Sequence, residues 1–419
     1  MAKPKKDNSR NAGNHFQFNL IGLIIFSLCL VIGTALAVGK FSASHQGRFS
    51  FAVPDPDKLD KSTTSRTGPW GELLVQSIKL ERPAELIPVE DINPEAVTWS
   101  FQGMNVAQIK SLFIANGLDA QQVEKTLSPD RISSNGNDTE FKPDDDFVLS
   151  LTTEQRQKLY GAFLGRNVNL YFDYPYIFNK ESLGSIYSDA SLNSDDVAVL
   201  KKLVYPAEGA IHLSDPTILM DKIPTNQRRV TMSQALSRQT AALARLCIRP
   251  DTDIDKIVSY WGHIKNVRFQ DIRPLLESLK GLPNGGTVSL VYFLPPFARQ
   301  RLYTFPAPGP DDKSVKDCHW STFNFTSLQP DDNFTNPEYT VQYIKHNYYG
   351  IATPAVYGDI VLFMNDKEQI KHSAVYLADD LYFTKYGFNN SQPWMIVRMS
   401  DMQAEYSTLK PYFMRRNTD

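Results

Sequence analysis

The sequence predicts an α+β protein in three parts: a single N-terminal transmembrane helix, a helix-rich middle domain and a C-terminal domain rich in short strands. Three observations carry this. Leu20 to Val38 is a run of 19 residues without a charge, about the length that crosses the hydrocarbon core of a bilayer. Apolar residues between Gly103 and Gly281 recur at helical spacing. After the turn signal Pro283-Asn284-Gly285-Gly286 the pattern becomes TVSLVYFLPP, a β-branched and aromatic run of the kind that makes a buried strand. The expected boundaries are 1–17 for a cytoplasmic tail, 18–38 for the transmembrane helix, 39–88 for a juxtamembrane linker, 89–282 for the middle domain and 283–419 for the C-terminal domain.

Composition narrows the function classes. Lys+Arg 44 against Asp+Glu 46 leaves a net charge of -2, so no global field draws the chain to a phosphate backbone, and no nucleic-acid partner is expected. Hydrophobic residues at 42% with 11% aromatic exclude wholesale disorder. Three cysteines, Cys29, Cys247 and Cys318, are too few for a disulfide-stapled scaffold, although counting alone allows one bridge between Cys247 and Cys318. Lys3, Lys5, Lys6 and Arg10 precede the apolar run and only Lys40 follows closely. The positive-inside rule then places the N-terminus in the cytoplasm and the bulk of the chain outside it, as a single-pass protein of the inner (cytoplasmic) membrane. A cleaved signal peptide competes with the anchor, because Ala35-Leu36-Ala37 fits a cleavage site.

The linker is rich in Ser, Pro, Lys and Asp, with one amphipathic patch from Leu73 to Leu80 that suits a strand. Val106, Ile109, Leu112 and Phe113 predict a helix ending before Gly117, and a second follows from Ala120 to Leu127. Arg131 to Asp146 is polar and reads as a loop between subdomains. Thr152 with Gln155 forms a capping-box pattern before a helix to Leu164, and Ser194-Asp195-Asp196 opens another. Further stripes at Leu236, Leu243 and Leu246, at Ile254, Ile257, Val258 and Trp261, and at Ile272, Leu275, Leu276 and Leu279 complete the helix-rich middle domain.

Three features of the C-terminal domain stand in fixed order: Asp317-Cys318-His319-Trp320, then Tyr357-Gly358-Asp359-Ile360-Val361-Leu362-Phe363, then His372-Ser373-Ala374-Val375-Tyr376-Leu377. This order resembles the NlpC/P60 group of papain-like cysteine peptidases, which carry an Asp-Cys before a helix, a Gly-Asp strand and a His opening the next strand. The resemblance covers roughly Arg301 to Met402. It implies a papain-like fold and peptide or amide hydrolysis, with Cys318 as nucleophile, His372 as base, Thr384 as the residue orienting His372, and Tyr303 beside the Cys318 backbone N–H at the oxyanion. Peptidoglycan stem peptides are the substrate it implies, and no cofactor.

The residues support the same roles on physical grounds. Cys318 precedes the helix-forming WSTFNFTSL, where the dipole and free N–H groups favour thiolate. His372 opens an alternating strand, a rigid mount for a general base. Against this, His319 and Trp320 stand where the family has Ser-Gly, which remodels or closes the groove, and Lys385, next to Thr384, cannot accept a bond from imidazole while protonated. His319, adjacent to Cys318 on a helix, is not expected to face it. Cys318, His319, His346 and His372 match no zinc spacing, and no metal is expected. Arg299 and Arg301, with Arg415-Arg416, suggest a basic rim. Two rivals remain: a non-catalytic envelope scaffold or binding protein with a closed groove, and transfer or esterase chemistry on an acyl group.

Overall fold

Alternation in the sequence becomes two faces of a sheet at the strand Ile370–Ala378, where Ala374 and Tyr376 enter one apolar cluster and Val375 and Leu377 another. The computed structural model describes residues 63–417 apart from 94, 136–137, 265–271, 307–315, 355 and 388–389. All of these lie in one unit, Ala52–Asp419, and every strand pair among them is antiparallel.

In chain order the strands are β1 (Thr63–Gly68), β2 (Gly71–Leu80), β3 (Trp99–Phe101), β4 (Ile132–Asn135), β5 (Asp138–Phe141), β6 (Tyr176–Phe178), β7 (Val204–Ala207) and β8 (Ala210–Leu213). There follow β9 (Gln239–Ile248), β10 (Gly286–Ser289), β11 (Tyr348–Ile351), β12 (Ile360–Met364), β13 (Ile370–Ala378), β14 (Leu381–Lys385), β15 (Trp394–Arg398) and β16 (Lys410–Arg416). They form a six-stranded sheet β11-β16-β12-β13-β14-β15, a four-stranded sheet β1-β2-β9-β10, and two three-stranded sheets, β3-β5-β4 and β6-β8-β7.

Several expectations change. The transmembrane helix is not part of the observed architecture: among the described residues no helix is long and apolar enough to cross a membrane, and 1–38, with Cys29, lie outside them. The middle region carries strands among its helices. Leu236 closes the helix Asn226–Leu236, but Leu243 and Leu246 sit in β9, whose ten residues pair with β2 from Glu72↔Cys247 to Leu80↔Gln239. Their three-residue spacing imitated a helical stripe, and the partner strand decided otherwise. Arg131 to Asp146 contains the β4–β5 hairpin, because Thr139 and Phe141 alternate inward from a polar sequence. The TVSLVYFLPP run is strand only over β10, then turns as a 3-10 helix at Leu290–Phe293. Since β10 pairs with β9, the sheet runs across residue 283. Gly285 makes that turn at φ +67, and a Cβ there would stand 2.0 Å from Ile248 O.

Other elements follow local chemistry. Thr152 and Gln155 exchange both capping-box bonds at the helix Thr153–Phe163, Thr152 N to Gln155 Oε1 at 3.0 Å and Gln155 N to Thr152 Oγ1 at 3.1 Å. Ile254, Ile257 and Trp261 are buried on the helix Ile254–Trp261, and Leu276 and Leu279 on Arg273–Lys280. One core lies under the helices around Trp99, and two others cover the opposite faces of the six-stranded sheet. Burying each large apolar side chain contributes about 1.5–3 kcal/mol.

Within the Trp99 region Arg156 and Asp215 form a fully buried ion pair at 3.1 Å, and Tyr160 donates to the same carboxylate oxygen at 2.8 Å. Burial, opposed by Arg156, pushes Asp215 up to about 6. The folded state therefore holds this proton more tightly than the unfolded chain, whose Asp titrates near ~3.9. Its contribution to stability is full below about pH 4 and is lost as pH rises through about 6. Urea midpoints across this interval are expected to fall with pH in the native chain and to flatten in Asp215→Asn; equal slopes would contradict the assignment. Arg156→Met, which strands the carboxylate, is expected to cost about 3–5 kcal/mol by the same measurement.

Candidate functional site

Cys318 is the first residue of a short helix, Cys318–Phe323, whose N-cap Asp317 accepts from Trp320 N at 2.9 Å. The helix packs against β13 and β14. Ser321 Oγ donates to Asp317 O at 2.6 Å and accepts from Trp394 Nε1 at 2.8 Å, fixing the first turn against β15. The amide N–H of Cys318 lies in that first turn, where the helix itself provides no acceptor. Cys318 and Cys247 are both buried free thiols, so the bridge that counting allowed is absent. Burial, with the nearby Glu72 charge, pushes the Cys247 thiol up to about 12, which leaves it inert.

His372 is fully buried near the start of β13. Its ring stacks on Tyr406 with centroids 4.4 Å apart and meets Tyr386 edge-on at 5.6 Å. Nε2 lies 3.0 Å from Thr384 Oγ1, and that hydroxyl donates to Ser373 O, also at 3.0 Å. A threonine hydroxyl has one proton, and a carbonyl can only accept. Nε2 must therefore carry the imidazole proton and donate it to Thr384. Nδ1 is left as the lone-pair nitrogen, and it is buried without a hydrogen-bond partner among the described residues.

Cys318 is linked to this imidazole through its surroundings. Tyr406 is raised well above the ordinary phenol range by burial and then by the charge of Cys318, and it is the ring stacked on His372. Lys385, fully buried, is pushed down to about 8 by burial, opposed by the charges of Cys318 and Asp317. Lys385 pairs in register with Trp394 on one face of the sheet, whereas Tyr406 packs on the other. Among the described residues no hydrogen bond joins Cys318 to His372.

The remaining expected site residues divide. Thr384 and His372 are brought together. Tyr303 is engaged elsewhere: its hydroxyl donates to Ala242 O on β9 at 2.6 Å, so its proton is already committed, and its backbone sits at φ +60 with Tyr303 N bonded to Trp394 O. His319 does approach Cys318, contrary to the helical-spacing argument, because at the first turn its ring can swing back; donor atoms of Asp317, Cys318 and His319 all lie within 4.8 Å of one another. Among the described residues these three are the ones that could hold a metal, although Asp317 already caps the helix and His319 Nδ1 lies 2.9 Å from Ser373 Oγ. Arg301 stacks over Phe297, Trp320 and Trp394 instead of lining a rim, at 4.1, 5.2 and 5.8 Å from their ring centroids.

Sequence reasoning missed Tyr406 and the role of Lys385. Nothing local marks Tyr406, which reaches His372 only through the chain reversal after the helix Met399–Glu405. Lys385 had a signal, a lysine directly after an inward Thr on an apolar strand.

Comparison of the chain with protein-family models, curated proteins and solved structures finds no match.

Two outcomes test this geometry. With labelled histidine, 15N shifts are expected to report His372 as the Nε2–H tautomer, and Thr384→Val is expected to abolish that preference while costing about 1–3 kcal/mol of stability; an Nδ1–H tautomer in the native chain would contradict the hydrogen-bond reading. Tyr303→Phe is expected to cost about 1 kcal/mol in urea unfolding and to leave the alkylation rate of Cys318 unchanged.

Proposed function

We propose that the protein is a cysteine hydrolase acting on an amide or peptide bond. The observation that carries this is the fixed imidazole tautomer, with Nε2–H on Thr384 and the Nδ1 lone pair unengaged, on the strand pair β13–β14 against which the Cys318 helix packs. In the reaction His372 Nδ1 takes the Cys318 proton as sulfur attacks the carbonyl carbon, forming the C–S bond. The oxyanion is met by the Cys318 N–H at the helix start. His372 returns its proton to the leaving amine as the C–N bond breaks, then activates water to hydrolyse the thioester and restore the thiol. Lys385, pushed down to about 8 by burial, supplies a positive charge on the face of the sheet against which the Cys318 helix packs. Tyr303 has no part in the step, because its hydroxyl is bonded to Ala242 O.

The resemblance to NlpC/P60 peptidases supports a cell-wall peptide as the substrate, and the charge asymmetry around the apolar run supports an extracytoplasmic location. A second reading has its own observation: Cys318 and His372 are both almost fully buried, as in a binding or scaffold protein whose groove has closed.

Hydrolysis of purified peptidoglycan fragments, followed by the appearance of new free amines, separates the two. Activity lost in both Cys318→Ala and His372→Ala, and reduced in Lys385→Met, is the result expected of the hydrolase. Turnover that survives Cys318→Ala, or its absence alongside tight binding of the same fragments, would overturn it in favour of the scaffold.

A further inference from the structure

A cavity of about 510 Å³ opens at the far end of the Cys318 helix, within the size range of small-molecule sites. Thr322 and Phe323 of that helix form one wall, and the edge strand β11 with its neighbour β16 forms another. The turn before β12 closes it, where Gly358 stands at φ +98.

The charges on its wall are unbalanced. Arg415 and Arg416 face a single carboxylate, Asp359. Arg415 holds both oxygens of that carboxylate, at 2.7 and 2.9 Å. Among the described residues no carboxylate pairs with Arg416, at the exposed end of β16. The cavity thus keeps one positive charge beyond what its own acid neutralises. His263 and His346 add ring nitrogens, the latter with Nδ1 committed to Gln342 O at 2.7 Å.

Its floor is aromatic. Phe325 and Tyr357 meet edge-on at 6.0 Å, and Phe323 and Tyr348 at 5.9 Å. The Tyr357 hydroxyl is turned away to Phe293 O, so the ring presents carbon to the space.

We infer that this cavity binds a small organic anion, its carboxylate or phosphate head on Arg416 and its apolar body on the aromatic floor. A guanidinium at the rim of a cavity with an aromatic floor matches a planar or tetrahedral oxyanion in charge and geometry. The site is separate from the thiol but not isolated from it. Ser373 Oγ donates to Thr322 Oγ1 at 3.0 Å and lies 2.9 Å from His319 Nδ1, so a hydrogen-bonded chain runs from the cavity wall to the residue beside Cys318.

The test is thermal-shift and calorimetric titration of the full chain with benzoate, phenyl phosphate and the neutral benzamide. Saturable binding of either anion, with benzamide inert, is the expected result, and whichever anion binds more tightly identifies the head group. Arg416→Gln is expected to weaken it roughly tenfold and Arg416→Glu to abolish it. Arg416 is exposed, so both variants should fold, and their unliganded melting points check that. Equal binding of benzamide, no binding of either anion, or affinity unchanged in Arg416→Glu would overturn the inference. Cys318→Ser is expected to bind as the native chain does, so the fate of the hydrolase reading leaves this result untouched.

Discussion

A hydroxyl group has one proton to give, and at Thr384 that proton goes to the carbonyl of Ser373. The same oxygen can then only receive from His372, which determines which imidazole nitrogen carries hydrogen and which keeps a lone pair. The chemical reading of the site depends on this pair of 3.0 Å contacts. They depend in turn on the antiparallel pairing of β13 with β14, which sets Thr384 diagonally across from His372 on one face. A slip of one residue would turn Thr384 to the opposite face and leave both imidazole nitrogens without a partner.

The sheet places the other groups by the same alternation. Ser373 and Lys385 belong to the face on which the Cys318 helix lies, while His372, Tyr386 and Tyr406 lie on the reverse. Burial shapes the chemistry further: it depresses Lys385 to about 8 and lifts Glu405, next to Tyr406, to about 7, so both groups change state close to neutrality.

How far the sequence could be read follows from where its information lies. The partnership of His372 with Thr384 was legible, because both sit on short alternating strands joined by a tight turn, and local periodicity fixes facing. The helix opening at Cys318 was legible for the same local reason, whereas its Asp317 cap came from the structure. The partner of the Tyr303 hydroxyl was not legible, because proximity in sequence to the motif says nothing about β9, whose Ala242 O accepts from it across 61 residues. β9 itself was read as helix: its Leu243 and Leu246 fit both periods, and only pairing with β2, from the segment read as linker, decides between them. Tyr406 and the Arg415–Asp359 contact across 56 residues are products of tertiary closure and leave no local trace.

The measurement that bears most directly on a live thiol–imidazole pair is the rate of Cys318 alkylation by iodoacetamide at neutral pH, in Cys247→Ser background, compared with the same protein carrying His372→Ala. A base at Nδ1 that draws the thiol proton predicts fast alkylation that falls at least tenfold when the imidazole is removed. A thiol that reacts at the rate of free cysteine, or that is unmoved by His372→Ala, would contradict the pairing and leave the sheet as a closed binding surface.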